Sequence, residues 1–304
     1  MLFVVVSLVS IMVLTAQGTL IKLFGDKRPG AEITYTLVSS VCALILFGSI
    51  ALFSGSQYNP QSLLYSLFFA TCYAGSTITF VLAVNCGSLA LTSTIHSFAL
   101  IIPTILGFLI WGEDVSTMKI AGIVIFAFSL LLIGEKVDKG QKLMSAKWLV
   151  LMVISFFCEG FAPVAIKMHS IALGEKAASE ANGVFMALAY LMAVLGILVA
   201  ALLKDGRVKI PSKDGTKPKN FMLDSLKIAL PFAAAGGICN GIYNFTNTVV
   251  SNNNLNVSVF FPVISAGQLI LTLVIATVFF KEKLSIKQFF AIGFGIVAIV
   301  LLNV

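Results

Sequence analysis

Charge is scarce in this chain. Lys, Arg, Asp and Glu make up only 11% of its 304 residues, whereas 59% are hydrophobic. Soluble domains carry about 25% charged residues, so a soluble globule of this size would need roughly twice this complement to cover its surface. Histidine is scarcer still, with only His96 and His169. The five cysteines (Cys42, Cys72, Cys86, Cys158 and Cys239) form no CxxC pair and have no histidine nearby. A metal centre and a disulfide framework therefore both lack their ligands, and the cysteines read as small buried hydrophobes. No cofactor is expected. No GxxxxGK[ST] phosphate loop occurs, so ATP drive by this chain is not expected either. The one close acid pair, Glu113–Asp114, sits at a turn where helix capping is the simplest role. A lipid-modifying membrane enzyme would need acids or histidines clustered at a membrane face, which leaves that reading weak.

What the chain does have is long apolar blocks. Ten are separable, at approximately 2–24, 32–54, 61–85, 88–110, 116–134, 147–171, 179–203, 223–250, 255–280 and 285–304. About 20 apolar residues cross a bilayer, so the expectation is an all-α membrane protein of ten transmembrane helices, multi-pass in the cell membrane. The longest polar connection, Lys204 to Asn220, leaves no room for a soluble domain. The first block lacks a basic leader and runs straight into a second, which argues against a cleaved signal.

The net charge of +7 comes from 20 Lys and Arg, and 17 of these lie in alternate connections. They are Lys22, Lys27 and Arg28; Lys136, Lys139, Lys142 and Lys147; seven between Lys204 and Lys227; and Lys281, Lys283 and Lys287. The positive-inside rule puts these connections in the cytoplasm and both termini outside. The basic residues thus read as a charge belt at the lipid bilayer, with no nucleic-acid partner.

The chain also repeats itself. FLIWGEDVSTMKIAG ends the fourth block and TVFFKEKLSIKQFFA the ninth; aligning Glu113 with Glu282 also aligns Val115 with Leu284 and Ser116 with Ser285. TLIK (Thr19 to Lys22) closes the first block as VAIK (Val164 to Lys167) closes the sixth. Five spans per half is an odd number, so the halves, 1–144 and 145–304, enter the membrane from opposite sides. That is the inverted repeat from which many transporters build a central site.

These duplicated motifs resemble the ten-helix EamA-type branch of the drug/metabolite transporter superfamily, over essentially the whole chain. The resemblance implies a two-repeat carrier with a cavity between its halves. That family usually has cytoplasmic termini, whereas the charge distribution here places them outside. CEGFAPVAIK is also similar to the first helix of the small multidrug resistance proteins, which carries their proton- and cation-exchanging carboxylate. By that likeness Glu159 would exchange protons. The matching position of helix 1 is Leu14, so only one half retains an acid.

Polar stripes mark candidate lining. In helix 8, Asn240, Tyr243, Asn244, Asn247 and Ser251 fall at helical spacing on one face. Helix 9 carries Ser258, Pro262, Ser265 and Gln268; helix 1 carries Ser7, Ser10 and Gln17; helix 4 carries Thr92, Ser93, His96 and Ser97. Serine and threonine commonly join helices, at about 0.6 kcal/mol per contact. Three asparagines in register have more groups to satisfy than one contact supplies, which favours a cavity. Pro103 and Pro262 lie well inside helices 4 and 9, and Pro163 stands four residues after Glu159. Small residues Ala121, Gly122, Gly293 and Gly295 suit close packing, within a monomer or across a homodimer.

Glu159 itself is eleven residues past Trp148, the aromatic expected at the cytoplasmic interface, and so about 16 Å deep. A carboxylate there costs about 2.5–3.5 kcal/mol on insertion scales, so it is neutralised, hydrated or paired. A site that takes up a proton when dry and releases it to water or a cation is an antiport site. Lys167, about 12 Å further along, is expected to reach the outer headgroups. The function expected is therefore a secondary transporter exchanging protons for a small-molecule substrate. A non-transporting scaffold or receptor is the alternative.

Overall fold

The computed structural model describes residues 1–84, 92, 95–96, 98–113, 116–133, 146–207, 209–210, 219–279 and 286–302. In chain order the helices are α1 (Leu2–Lys27), α2 (Glu32–Phe53), α3 (Pro60–Val84), α4 (Ile101–Leu109), α5 (Thr117–Ile133), α6 (Ala146–Leu173), α7 (Glu175–Lys204), α8 (Phe221–Asn252), α9 (Val257–Val278) and α10 (Ile286–Leu302). A small antiparallel ribbon between α7 and α8 pairs β1 (Lys209–Ile210) with β2 (Lys219–Asn220).

Six of these helices (α1, α2, Pro60–Ala83 of α3, α6, α7 and α8) are long and apolar enough to cross a membrane. The shortest, α2, has 22 residues, about 33 Å against a hydrocarbon core of about 30 Å. Shorter apolar stretches occupy Thr117–Ser129 and Val257–Thr272. The distribution of side chains fits that solvent. On α7, Ala189, Tyr190, Ala193, Ile197 and Ala201 are sealed inside, while Leu191, Leu195, Val199 and Leu202 are exposed. A soluble helix turns polar residues outward; this one turns leucine and valine outward, as hydrocarbon surroundings require.

Short connections make sequence neighbours antiparallel. Single-residue Gly174 joins α6 to α7 at φ +78, a conformation that favours glycine. The packing partners are mostly further apart in the chain: α1 on α8 and α9, α2 on α7 and α8, α3 on α6 and α7, α4 on α6 and α9, and α5 on α10. Glycine permits the closest of these approaches. On α8, a β-carbon at Gly237 would stand 2.3 Å from the Ser39 carbonyl, and one at Gly241 would meet Leu46 at 2.5 Å. This Gly-xxx-Gly seam brings the α2 and α8 backbones together.

Helix 4 is not continuous, and Pro103 does not lie well inside a helical run. Thr92, Ile95, His96 and Phe98 are helical, the chain turns at Ala99–Leu100, and α4 starts afresh at Ile101. Pro103 is then the third residue of α4, inside a first turn whose N–H groups have no intrahelical acceptor, so its ring costs no hydrogen bond. Trp148, the third residue of α6, turns its ring into the protein. It is 1% exposed and its indole donates to Thr92 Oγ1 at 3.0 Å. Val115, Glu282, Leu284 and Ser285 of the repeated turn, with Cys86, Ser93, Ser97 and Asp114, lie outside the described residues.

Candidate functional site

Glu159 is the fourteenth of the 28 residues of α6, at mid-length of a membrane-crossing helix. Small neighbours bring polar partners to it. Gly160 admits the α4 break, since a β-carbon there would meet the Ala99 carbonyl at 2.6 Å and Ile102 Cβ at 2.8 Å. Gly75 on α3 accepts Cys158, whose Sγ lies 3.0 Å from where a β-carbon would stand. The carboxylate accepts a hydrogen bond from Ser76 Oγ at 2.8 Å, and His96 Nε2 lies 3.6 Å from Glu159 Oε2. The other ring nitrogen, His96 Nδ1, is 3.1 Å from Ser155 Oγ, and Ser155 Oγ lies 3.4 Å from the Ser76 carbonyl, which it can reach as donor. The Phe80 ring packs on His96 at 4.5 Å. Glu159 keeps 34% of its side chain exposed and His96 24%, so the pair is not sealed. Pro163 has no N–H to offer the Glu159 carbonyl four residues earlier, which frees a backbone acceptor beside the acid.

A second polar cluster lies one turn away along α3. Tyr73, three residues before Ser76, donates to Asn240 Oδ1 at 3.3 Å and sits 3.4 Å from Ser40 Oγ. Tyr190 of α7 donates to the same Asn240 oxygen, and Asn244 Nδ2 donates to Tyr190 Oη at 2.8 Å and to the Asn240 carbonyl at 3.0 Å. Phe47 and Tyr73 enclose Tyr190, with ring centroids 5.6 and 5.5 Å away. The asparagine stripe of α8 does face inward, with Asn240, Asn244 and Asn247 all buried. In this conformation its first two members are satisfied by tyrosines. Asn247 Oδ1 has no partner among the described residues.

The remaining candidates are dispersed. Ser265 is buried on α9, and its hydroxyl has no partner among the described residues. Gln17 on α1 and Gln268 on α9 are half-buried and, among the described residues, bond to neither cluster. Tyr73, Ser76, Ser155 and Tyr190 escaped the sequence reading. Tyrosines gather at membrane interfaces, so two near the middle of their blocks were the available signal.

The turn that closes the first half and the motif that opens the second come together at Trp111, whose ring lies near Lys167. Glu113 accepts from Val257 N at 3.0 Å and Ser258 N at 2.8 Å, and also from Ser258 Oγ. It thereby caps α9, 144 residues further along the chain. A carboxylate is well matched to a helix N-terminus, where free N–H groups and the helix dipole both favour negative charge. Lys167 stands beside it and corrects the headgroup expectation. It is 3% exposed, with Nζ 3.4 Å from Asn254 Oδ1 and 6.0 Å from the Trp111 ring centroid. At the lysine-rich end, Asp205 caps α2 in the same manner, accepting from Thr34 N and Oγ1 at 3.2 and 2.6 Å.

An outward apolar surface, membrane-length helices and polar clusters held at mid-length define an α-helical membrane protein. No family model matches the chain, and no curated protein does. Among solved structures, a chain described only as "Crystal structure of protein" is similar at 10% identity, with a TM-score of 0.74 over 98% of this chain and 94% of that one. At that identity the likeness is one of fold.

Proposed function

We propose that the protein is a secondary active transporter of small organic metabolites or drugs, such as amines or amino acids, coupled to protons at Glu159. It works by alternating access between two inverted five-helix halves of EamA type. The observation that carries this reading is the setting of Glu159: mid-membrane, one-third exposed, bonded to Ser76 and facing His96 beside a break in the helical backbone. Broken helices around a midplane site are a recurring device of transporters, and an ionisable group at that depth marks a pathway or proton relay.

The packing supports an inverted repeat. Exchanging each helix for the one five places along turns α1–α8 into α6–α3, α2–α8 into α7–α3, and α1–α9 into α6–α4. It returns α2–α7, α4–α9 and α5–α10 to themselves. All of these pairs pack here. The local bonds support proton coupling. When Ser155 directs its hydrogen to the Ser76 carbonyl, His96 Nδ1 donates to Ser155 and Nε2 faces the acid. That pair is complete only with a proton between its members. A cationic substrate competes for the carboxylate and releases it.

The test is a substrate screen with the full chain in proteoliposomes, with and without a pH gradient. Accumulation that follows the gradient is expected, and Glu159→Gln abolishes it while leaving a folded, inserted protein. Undiminished gradient-driven flux in that variant would discard the coupling. A screen in which no solute moves would discard the transporter.

A further inference from the structure

Helix α8 runs 32 residues away from the ribbon, about 48 Å, and around its far end the two halves are packed together. Val6 of α1, Leu100 and Trp111 come from the first half, and Val250 of α8 with Phe260 and Ile264 of α9 from the second. Val250, Phe260 and Ile264 are at most 1% exposed. In lipid such apolar contact has little hydrophobic drive, and polar bonds between helices do much of the holding. Two charged side chains supply them here.

The first is Glu113. Gly112 turns the chain after α4 at φ +63, and the Glu113 N–H returns to the Gly107 carbonyl at 3.1 Å. A β-carbon at Gly107 would stand 2.8 Å from Glu113 Oε2 and 3.0 Å from Ser258 Cβ, so the glycine leaves the carboxylate its seat. Through its bonds to Val257 N, Ser258 N and Ser258 Oγ, the end of α4 in the first half holds the start of α9 in the second. Hydrogen bonds to a carboxylate are roughly twice as strong as neutral ones. The second is Lys167, which reaches from α6 to Asn254 in the α8–α9 connection and to Trp111 in the α4–α5 connection. Asn254 is held at φ +49, the one non-glycine residue with positive φ among the described residues. One turn beyond Lys167, Ser170 Oγ donates to the Ser251 carbonyl at 2.9 Å. Lys167 shares α6 with Glu159, eight residues earlier.

We propose that Glu113 and Lys167 form a latch that shuts this end of the molecule and must release before Glu159 can be reached from it. As a control on access to Glu159 the latch rests on the transporter reading above; as a tie between the halves it does not. Its chemistry suits a contact that opens. A purely apolar seam exposes hydrocarbon to water when it parts. When this one parts, the carboxylate, the ammonium and the first N–H groups of α9 are hydrated, and the cost of burying a charge is recovered. The closed and open arrangements are therefore brought nearer in energy, as a carrier that visits both requires.

The test is a double electron–electron resonance distance measurement on the full chain in nanodiscs, with the five native cysteines replaced by alanine. Spin labels at Leu109→Cys and Asn253→Cys, both exposed, span the latch from one half to the other. Labels at Asp26→Cys and Leu223→Cys, also exposed, report on the ribbon end. We expect a single short distance across the latch in the parent. Glu113→Gln and Lys167→Met each add a longer population there, with no widening at the ribbon end. Lys167→Met leaves the cap of α9 in place, so it decides the matter should Glu113→Gln fail to insert. Distances unchanged in both variants would overturn the latch, and so would widening at both ends together, which is loss of fold. Uptake in proteoliposomes separates the two readings. If the latch distance lengthens but no solute moves, the latch stands and the transporter fails. If the distance stays fixed while gradient-driven uptake proceeds, the latch fails and the transporter stands.

Discussion

The carbonyl oxygen of Ala99 lies 2.6 Å from the point a β-carbon on Gly160 would occupy. The break in helix 4 is thus seated against the residue that follows Glu159, and its backbone approaches α6 only because that residue has no side chain. Gly160→Ala forces the segment away, and overpacking of this kind costs about 1–3 kcal/mol. We expect a lower thermal midpoint in detergent and reduced gradient-driven uptake. An unchanged midpoint would show that the segment yields freely.

His96→Gln separates position from charge beside the acid. Glutamine keeps hydrogen-bonding groups but cannot carry the proton. Because hydrogen bonds to charged groups contribute about 1.5–3 kcal/mol, proton-coupled uptake should fall about tenfold or more, with the thermal midpoint nearly unchanged. Uptake equal to wild type would confine His96 to packing.

Tyr190→Phe removes one hydroxyl and takes a partner from two groups, Asn240 Oδ1 and Asn244 Nδ2, which keep Tyr73 and the Asn240 carbonyl respectively. A typical intramolecular hydrogen bond contributes about 0.5–1.5 kcal/mol. A double-mutant cycle with Asn244→Leu should give a coupling well above zero, since the leucine no longer needs the hydroxyl. Additive effects would mean that the two side chains do not act as one network.

Glu113→Gln tests the cap of α9. Loss of a capping side chain costs about 0.5–2 kcal/mol, and the glutamine retains an oxygen for only part of the pattern. We expect destabilisation in that range from equilibrium unfolding in detergent. Lys167→Met should partly offset it, because the buried lysine then loses an anionic neighbour and is better replaced by an apolar chain. Equal destabilisation by Lys167→Met in the wild-type and Glu113→Gln backgrounds would show the two groups to be independent.

The residues that were legible and those that were not differ in kind. Glu159 stood out because an acid inside an apolar block conflicts with its solvent. The asparagines of α8 stood out because three amides repeat at helical spacing. Lys167 was visible too, but its direction was misread: side-chain length allows either the headgroups or the interior, and only the neighbouring Trp111 and Asn254 decide. Tyr190 gave a weaker signal, because a tyrosine in an apolar block is chemically ordinary until its hydroxyl finds two asparagines. The break at Ala99–Leu100 left no local mark beyond Pro103 downstream.

Composition and block length by themselves determined that the chain is helical and lives in hydrocarbon, because a bilayer offers the backbone no partners and only internally bonded segments survive there. They also determined where an acid is carried at depth, since that placement follows from counting residues along a helix. Which helices touch was decided by the tertiary structure alone. Apolar helices look alike to one another in lipid, and their pairing is selected by the fit of small residues such as Gly160 and Gly237 and by the few polar groups that find one another across the seams.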